Sequence, residues 1–340
     1  MKLKFNNFDL IRLFCALQVA TTHTASNFFL DSPIFNQLLI FLGYFPGVPI
    51  FFFISGYLIY QSYENIKNIK LFFKNRVLRI YPALYFCFFL TLLSLFLTGY
   101  LQSQKISISD FLFWIFTSLT FFQFFNPDFL RQYGLGVING SLWTITVELQ
   151  FYILTPVIFY GFKYYKKMTA LFMILLIILN LVNSIFNTRS NIPLKLFDVS
   201  FIPWFYMFVF GAYVSSCSLI RTIILSINSI IYLILFIFLY YLSMKLNLGI
   251  GNRINPICYL ILCCFVLKIA YTKPDLSYKI LNGNDISYGI YIFHAPIINL
   301  FLFIDITNST QSYILVIICT IALGIFSWIF IEKPFLNLKK

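Results

Sequence analysis

The stretch FDLIRLFCALQVATTHT, from Phe8 to Thr24, is apolar enough to cross a membrane as a helix, yet it holds Asp9, Arg12 and His23, one of only two histidines in the chain. Ionisable groups at membrane depth are costly and usually face a pathway or a partner. The rest of the chain has the same character. Its 340 residues are 60% hydrophobic and 10% charged, with a mean hydropathy of +0.87. That is well above the apolar share of a soluble domain and marks an all-α polytopic membrane protein.

Apolar runs bounded by polar, Gly or Pro breaks fall near 8–30, 38–60, 80–99, 142–162, 168–187, 200–217, 222–243, 254–272, 285–304 and 311–332. They make about ten spans of the ~20 residues that a bilayer core of about 30 Å requires. A shorter run near 111–125 decides the orientation of everything after it. If it stays on the outer side as a re-entrant or interfacial helix, about three quarters of the Lys and Arg fall on the side of the N-terminus. If it crosses, the two sides come close to parity. The reading is therefore a single integral membrane domain, 1–340, with both termini in the cytoplasm. The second span carries Gly43, Pro46, Gly47 and Pro49, where either a broken helix or a late helix start fits.

The net charge of +13 is spread over short loops, which fits topology against anionic lipids and gives no basis for a nucleic-acid partner. Seven cysteines, all in apolar segments and without C-x-x-C spacing, indicate neither disulfides nor a metal site. Lys2 and Lys4 imitate a signal peptide, but Asp9 and Arg12 interrupt its apolar region, so the first helix is expected to be retained.

Arg12 and His23 lie on nearly one helix face, about 16 Å apart along the axis. Glu148, in SLWTITVELQFYILTPVIF, is expected at a depth of about 10 Å from the outer surface, matching His23. A carboxylate beside an imidazole would orient the ring and favour its protonated form. His294, in SYGIYIFHAPI, fits a hydrogen-bonding role. Arg76 and Arg79, ahead of Tyr81-Pro82, are suited to gripping phosphates, and Pro82 reads as the start of the third span.

Five passages together resemble the acyltransferase-three family of integral membrane acyltransferases. FDLIRLFCALQVATTH resembles its R-x(10)-H opening, GVPIFFFISGYLI its second-helix segment, and FFKNRVLRIYPALY its R-x-x-R-I-Y-P pattern. SLWTITVELQFY and SYGIYIFHAPI, with the late EKPF, complete the order. Leu10-Ile11 departs from the family's glycine before the leucine that precedes the arginine. No hydrolase-like extracytoplasmic domain, as some members carry, is expected after the last helix.

The resemblance implies transfer of an acyl group, acetyl foremost, from acyl-coenzyme A to a hydroxyl of an exported or lipid-linked glycan at the bacterial inner membrane, without a metal. It assigns catalysis to His23 with Glu148, the coenzyme's phosphates to Arg12, Arg76 and Arg79, and the substrate to Trp143, Tyr152 and His294. His23 would act as general base or carry the acyl group itself. A proton-coupled transporter using His23, Glu148 and the broken second helix is the competing expectation.

Overall fold

A computed structural model describes residues 6–28, 33–185, 196–307 and 309–339. Lys2, Lys4, Lys340 and the distal ends of the expected spans 8–30 and 168–187 lie outside the described residues. Among the described residues the fold is all helical, with no strand. The principal helices are α1 (Phe8–Asn27), α2 (Pro33–Gly43), α3 (Gly47–Ile66), α4 (Ile69–Leu97), α5 (Ile108–Leu119), α6 (Trp143–Tyr164) and α7 (Lys166–Ile185). They are followed by α8 (Phe205–Ser216), α9 (Ser218–Ser226), α10 (Ser229–Lys245), α11 (Pro256–Ala270), α12 (Ser287–Phe303) and α13 (Thr310–Ser327), which runs into a π-turn over Trp328–Glu332.

By length and apolarity four segments can cross a bilayer: Phe35–Ile66, Ile69–Leu97, Gly140–Tyr164 and Thr310–Leu336. A fifth is added if α8 and α9, bent by 95° at Cys217, count as one. The expected ten are not reached on this measure: α1, although 20 residues long, is not apolar enough, and α10, α11 and α12 have only 15 to 17 residues. Those lengths correspond to about 22–26 Å. The chain does leave helical geometry between Gly43 and Gly47, in the second expected span. The run near 111–125 forms only the 12-residue α5, about 18 Å long and too short to cross alone. Ser107 starts it by accepting a bond from Asp110 N at 3.1 Å.

One expectation is corrected. The third span does not begin at Tyr81-Pro82, because α4 already starts at Ile69 and Pro82 lies inside it. Arg76 and Arg79 are thus helical and share a face. The proline leaves the Leu78 carbonyl without its helical donor. Tyr288 Oη donates to the nearby Ile80 carbonyl at 3.1 Å.

The chain forms two compact units interleaved in sequence. The first takes Met1–Cys15, Ile40–Phe72 and Gln150–Asn284. Its centre is the close crossing of α3 and α8. A β-carbon at Gly56 would overlap the Phe208 carbonyl oxygen, and one at Gly211 would overlap that of Phe53. Glycine lets the two backbones approach where no hydrophobic force separates lipid from protein. Phe53 and Phe208 are fully buried beside the contact. Asn7 ties the start of α1 to the end of α11: its Nδ2 donates to the carbonyls of Thr272 at 2.9 Å and Lys273 at 3.1 Å, and its Oδ1 accepts from Ser277 N at 2.9 Å.

The second unit takes Ala16–Leu39, Phe73–Leu149 and Asp285–Lys340. Here Pro296 sits inside α12 and denies the Ile292 carbonyl its helical donor. Asn139 Nδ2 supplies one at 2.9 Å, and Cys87 Sγ lies 3.3 Å from the same oxygen. Asn299, on the same helix, accepts from Leu135 N at 2.7 Å and donates to the Val137 and Ile138 carbonyls at 3.0 Å each. The loop before α6 is thereby fixed to α12 by side-chain amides that satisfy its backbone.

Candidate active site

His23 lies near the end of α1, where Ser26 Oγ and Asn27 Nδ2 turn back to bond its carbonyl at 3.0 and 2.7 Å. Its side chain is exposed. Its ring partner is the other histidine of the chain, with His23 Nδ1 3.0 Å from His294 Nε2. His294, on α12, is fully buried, and its Nδ1 lies 2.6 Å from the Tyr291 carbonyl oxygen. The imidazole of an exposed residue is thus backed by a second that contacts no solvent.

The network continues into α6. Tyr291 Oη is 2.8 Å from Thr144 Oγ1, and Thr144 donates to the Ser141 carbonyl at 3.0 Å. Ser141 Oγ in turn donates to Asn139 Oδ1 at 2.6 Å. Glu148 stands one turn beyond Thr144, half-buried, and acts electrostatically on Tyr291. From the sequence Glu148 is expected to support His23; the ring bonded to His23 is that of His294, and Glu148 acts electrostatically on Tyr291. Equal depth left the angular position of each helix open. Trp143 opens α6 and is half-buried. Tyr152, buried, and Arg12, half-buried and acting on the Cys15 thiol, both belong to the first unit.

A second polar cluster gathers around α4. Arg79 donates to the Asp285 carboxylate, and its Nη1 stands 4.0 Å from Glu332 Oε2. The guanidinium carbon lies 5.8 Å from the centre of the Trp328 ring. Asp285 Oδ1 also accepts from Ser287 Oγ at 2.5 Å, and the buried Glu332 accepts from Ser327 Oγ at 3.1 Å. The π-turn is what carries Glu332 inward.

Arg76, three residues before Arg79, shares this surroundings with Lys339. Burial, and then the charges of Arg76 and Arg79, hold the Lys339 ammonium at about 8. Arg76 and Arg79 thus both act on Lys339, and Arg79 also meets the two carboxylates. In the sequence Lys339 is one of the cations on the side of the N-terminus, with no signal for more than its position just after the EKPF element. Among the described residues no group of three or more His, Cys, Asp or Glu is arranged to hold a metal ion.

Comparison with known proteins agrees with this architecture. The profile of the acyltransferase-3 family, described as an acyltransferase domain, matches residues 5–333. The chain is 30% identical over 360 residues to Nodulation protein 10 of Rhizobium leguminosarum bv. viciae, covering 98% of this chain and 94% of that one. It is 27% identical over 343 residues to the O-acetyl transferase of Shigella phage Sf6, covering 98% and 97%. Against O-acetyltransferase OatA of Staphylococcus aureus (strain NCTC 8325 / PS 47) the identity is 26%, over 86% of this chain and 52% of the relative. No solved structure gives a significant match. With a match over nearly its whole length and an all-helical, multi-pass architecture, this chain belongs to the acyltransferase-3 family and is a membrane acyltransferase.

Proposed function

We propose that the protein moves an acyl group, acetyl foremost, from acyl-coenzyme A to a hydroxyl of an exported glycan such as O-antigen or capsule, or of its lipid-linked precursor. It would do so in the bacterial inner membrane, with both termini cytoplasmic, as the distribution of Lys and Arg favours. The observation that carries the reading is His23: an imidazole on an exposed residue, bonded to buried His294, in a chain of this family. Relatives named O-acetyltransferases support an oxygen acceptor.

In this reading His23 takes the proton of the acceptor hydroxyl while the hydroxyl oxygen attacks the thioester carbonyl carbon. The carbon–sulfur bond breaks, and His23 returns the proton to the departing thiolate. The acyl-histidine alternative would form and break a bond at the same nitrogen, and trapping such an adduct would favour it. The test is label transfer in membranes. Radiolabelled acetyl-CoA should place label on an envelope glycan only when the protein is present, whereas solute flux without label would favour a transporter.

The cluster at α4 fits the donor's phosphates, with a division of labour. Arg79 is balanced by Asp285 and Glu332 and serves to position the site. Arg76 and Lys339 supply the donors. Arg76→Ala should weaken acetyl-CoA binding about ten- to a hundredfold, the worth of one charge-assisted hydrogen bond. An unchanged dissociation constant for the purified protein would remove this role.

Lys339 adds a pH dependence. Its proton is held to about 8, so the cationic form that attracts phosphate is present below that value and lost above it. Coenzyme A affinity should therefore fall as pH rises from 7 to 9. An arginine guanidinium stays charged across that window. Lys339→Met should flatten the profile; an identical slope in that variant would exclude Lys339.

A further inference from the structure

We infer that His294 is a positioning residue that fixes His23 in one tautomer, with the proton on Nδ1 and the lone pair on Nε2. A carbonyl oxygen can only accept a hydrogen bond, so the 2.6 Å contact between His294 Nδ1 and the Tyr291 carbonyl places a proton on His294 Nδ1. A neutral His294 then has a bare Nε2. That atom lies 3.0 Å from His23 Nδ1, which must supply the shared proton. His23 Nε2 is consequently left as an acceptor.

Burial sets the charge state in which this logic holds. His294 has no solvent contact, and it meets the Tyr291 carbonyl, the backbone of Ile290 and the ring of His23. A second proton there would be a buried cation facing an imidazole instead of an anion. The neutral relay also needs no carboxylate against either ring. The Tyr291 carbonyl is held in place in turn: Ser141 Oγ reaches it at 3.5 Å, and the Tyr291 hydroxyl is anchored on Thr144.

The relay rests on the proposed function only in its consequence. In acyl transfer His23 Nε2 accepts the acceptor's proton, giving an imidazolium whose Nδ1 proton stays shared with His294; returning the Nε2 proton to the thiolate restores the starting tautomer. No proton crosses to His294, so its part is orientation.

With only two histidines in the chain, the tautomers can be read directly. Protein labelled with 15N-histidine, carrying a purification tag without histidine and held in detergent micelles, should give long-range proton–nitrogen spectra in which both rings are neutral and protonated on Nδ1. A His23 signal protonated on Nε2 would overturn the inference.

Two variants separate relay from packing. His294→Gln retains an amide oxygen able to accept from His23 and should keep the tautomer. His294→Ala should release it and lower kcat about a hundredfold or more with little change in KM. Equal His23 spectra in wild type and His294→Ala would overturn the relay. If His23 carries its proton on Nδ1 but no label ever reaches a glycan, the proposed function fails and the tautomer assignment stands.

Discussion

His23→Asn is expected to abolish acyl transfer while leaving the protein inserted and folded, with a loss of about 10²- to 10⁴-fold. Asparagine places an amide N–H close to where the imidazole has Nδ1–H. It can still donate to His294 Nε2, the contact now 3.0 Å long. What it lacks is any atom at the position of Nε2. The substitution therefore removes the proton acceptor, or the nucleophile if an acyl-histidine forms, and spares the contact that ties α1 to α12. His23→Ala removes both and should lose as much activity. The measurement is acetyl content of the envelope glycan, by mass and proton spectra, in cells with matched amounts of membrane-inserted protein. Near-normal acetylation with His23→Asn would dismiss both chemical versions at once, whatever the fate of the donor site.

Much of the fold could be read from local signals. The apolar run ending near Phe303 became α12 within two residues of its expected start, because a bounded apolar segment needs no distant information to be a helix. The break after Gly43 followed from glycine and proline in the chain itself. Where the reading failed, a distant partner decided. Pro82 looked like a helix start, but Arg79 is paired with a carboxylate 206 residues away, and Tyr288, 208 residues away, bonds the carbonyl of Ile80. Those contacts hold the segment before the proline in helical register.

The site was legible in its members and illegible in its pairings. His23, His294 and Glu148 stood out because ionisable groups are rare in such a chain. Depth along the membrane normal was the only coordinate available, and it matched His23 to Glu148 as well as to any other group. The angle of each helix about its axis comes from packing, and packing put His294, 271 residues from His23, against its ring. Lys339 carried still less signal, since its role depends on the two arginines folded against it.

The second large effect is expected at the crossing of α3 and α8, in the first compact unit. Gly56→Ala must resolve an overlap with the Phe208 carbonyl oxygen, whose carbon would stand 2.8 Å from the new methyl group. Backbone cannot rotate out of the way as a side chain can, so the helices must separate. Separation opens gaps around Phe53 and Phe208, which are fully buried on the two helices. The cost should reach about 3 kcal/mol, the upper part of the range for overpacked cores, and a leucine at the same site should prevent insertion.

Thermal unfolding in detergent, followed by the loss of the monodisperse species, should show Gly56→Ala and Gly211→Ala each melting several degrees below wild type. Because one separation relieves both overlaps, the double variant should lose less than the two single losses combined. Gly43→Ala is the control: it lies at the end of α2 with nothing within 4 Å of the added carbon and should melt like wild type. If Gly56→Ala melted with the control, the two backbones would not be in contact, and close approach through glycine would not be what joins α3 to α8.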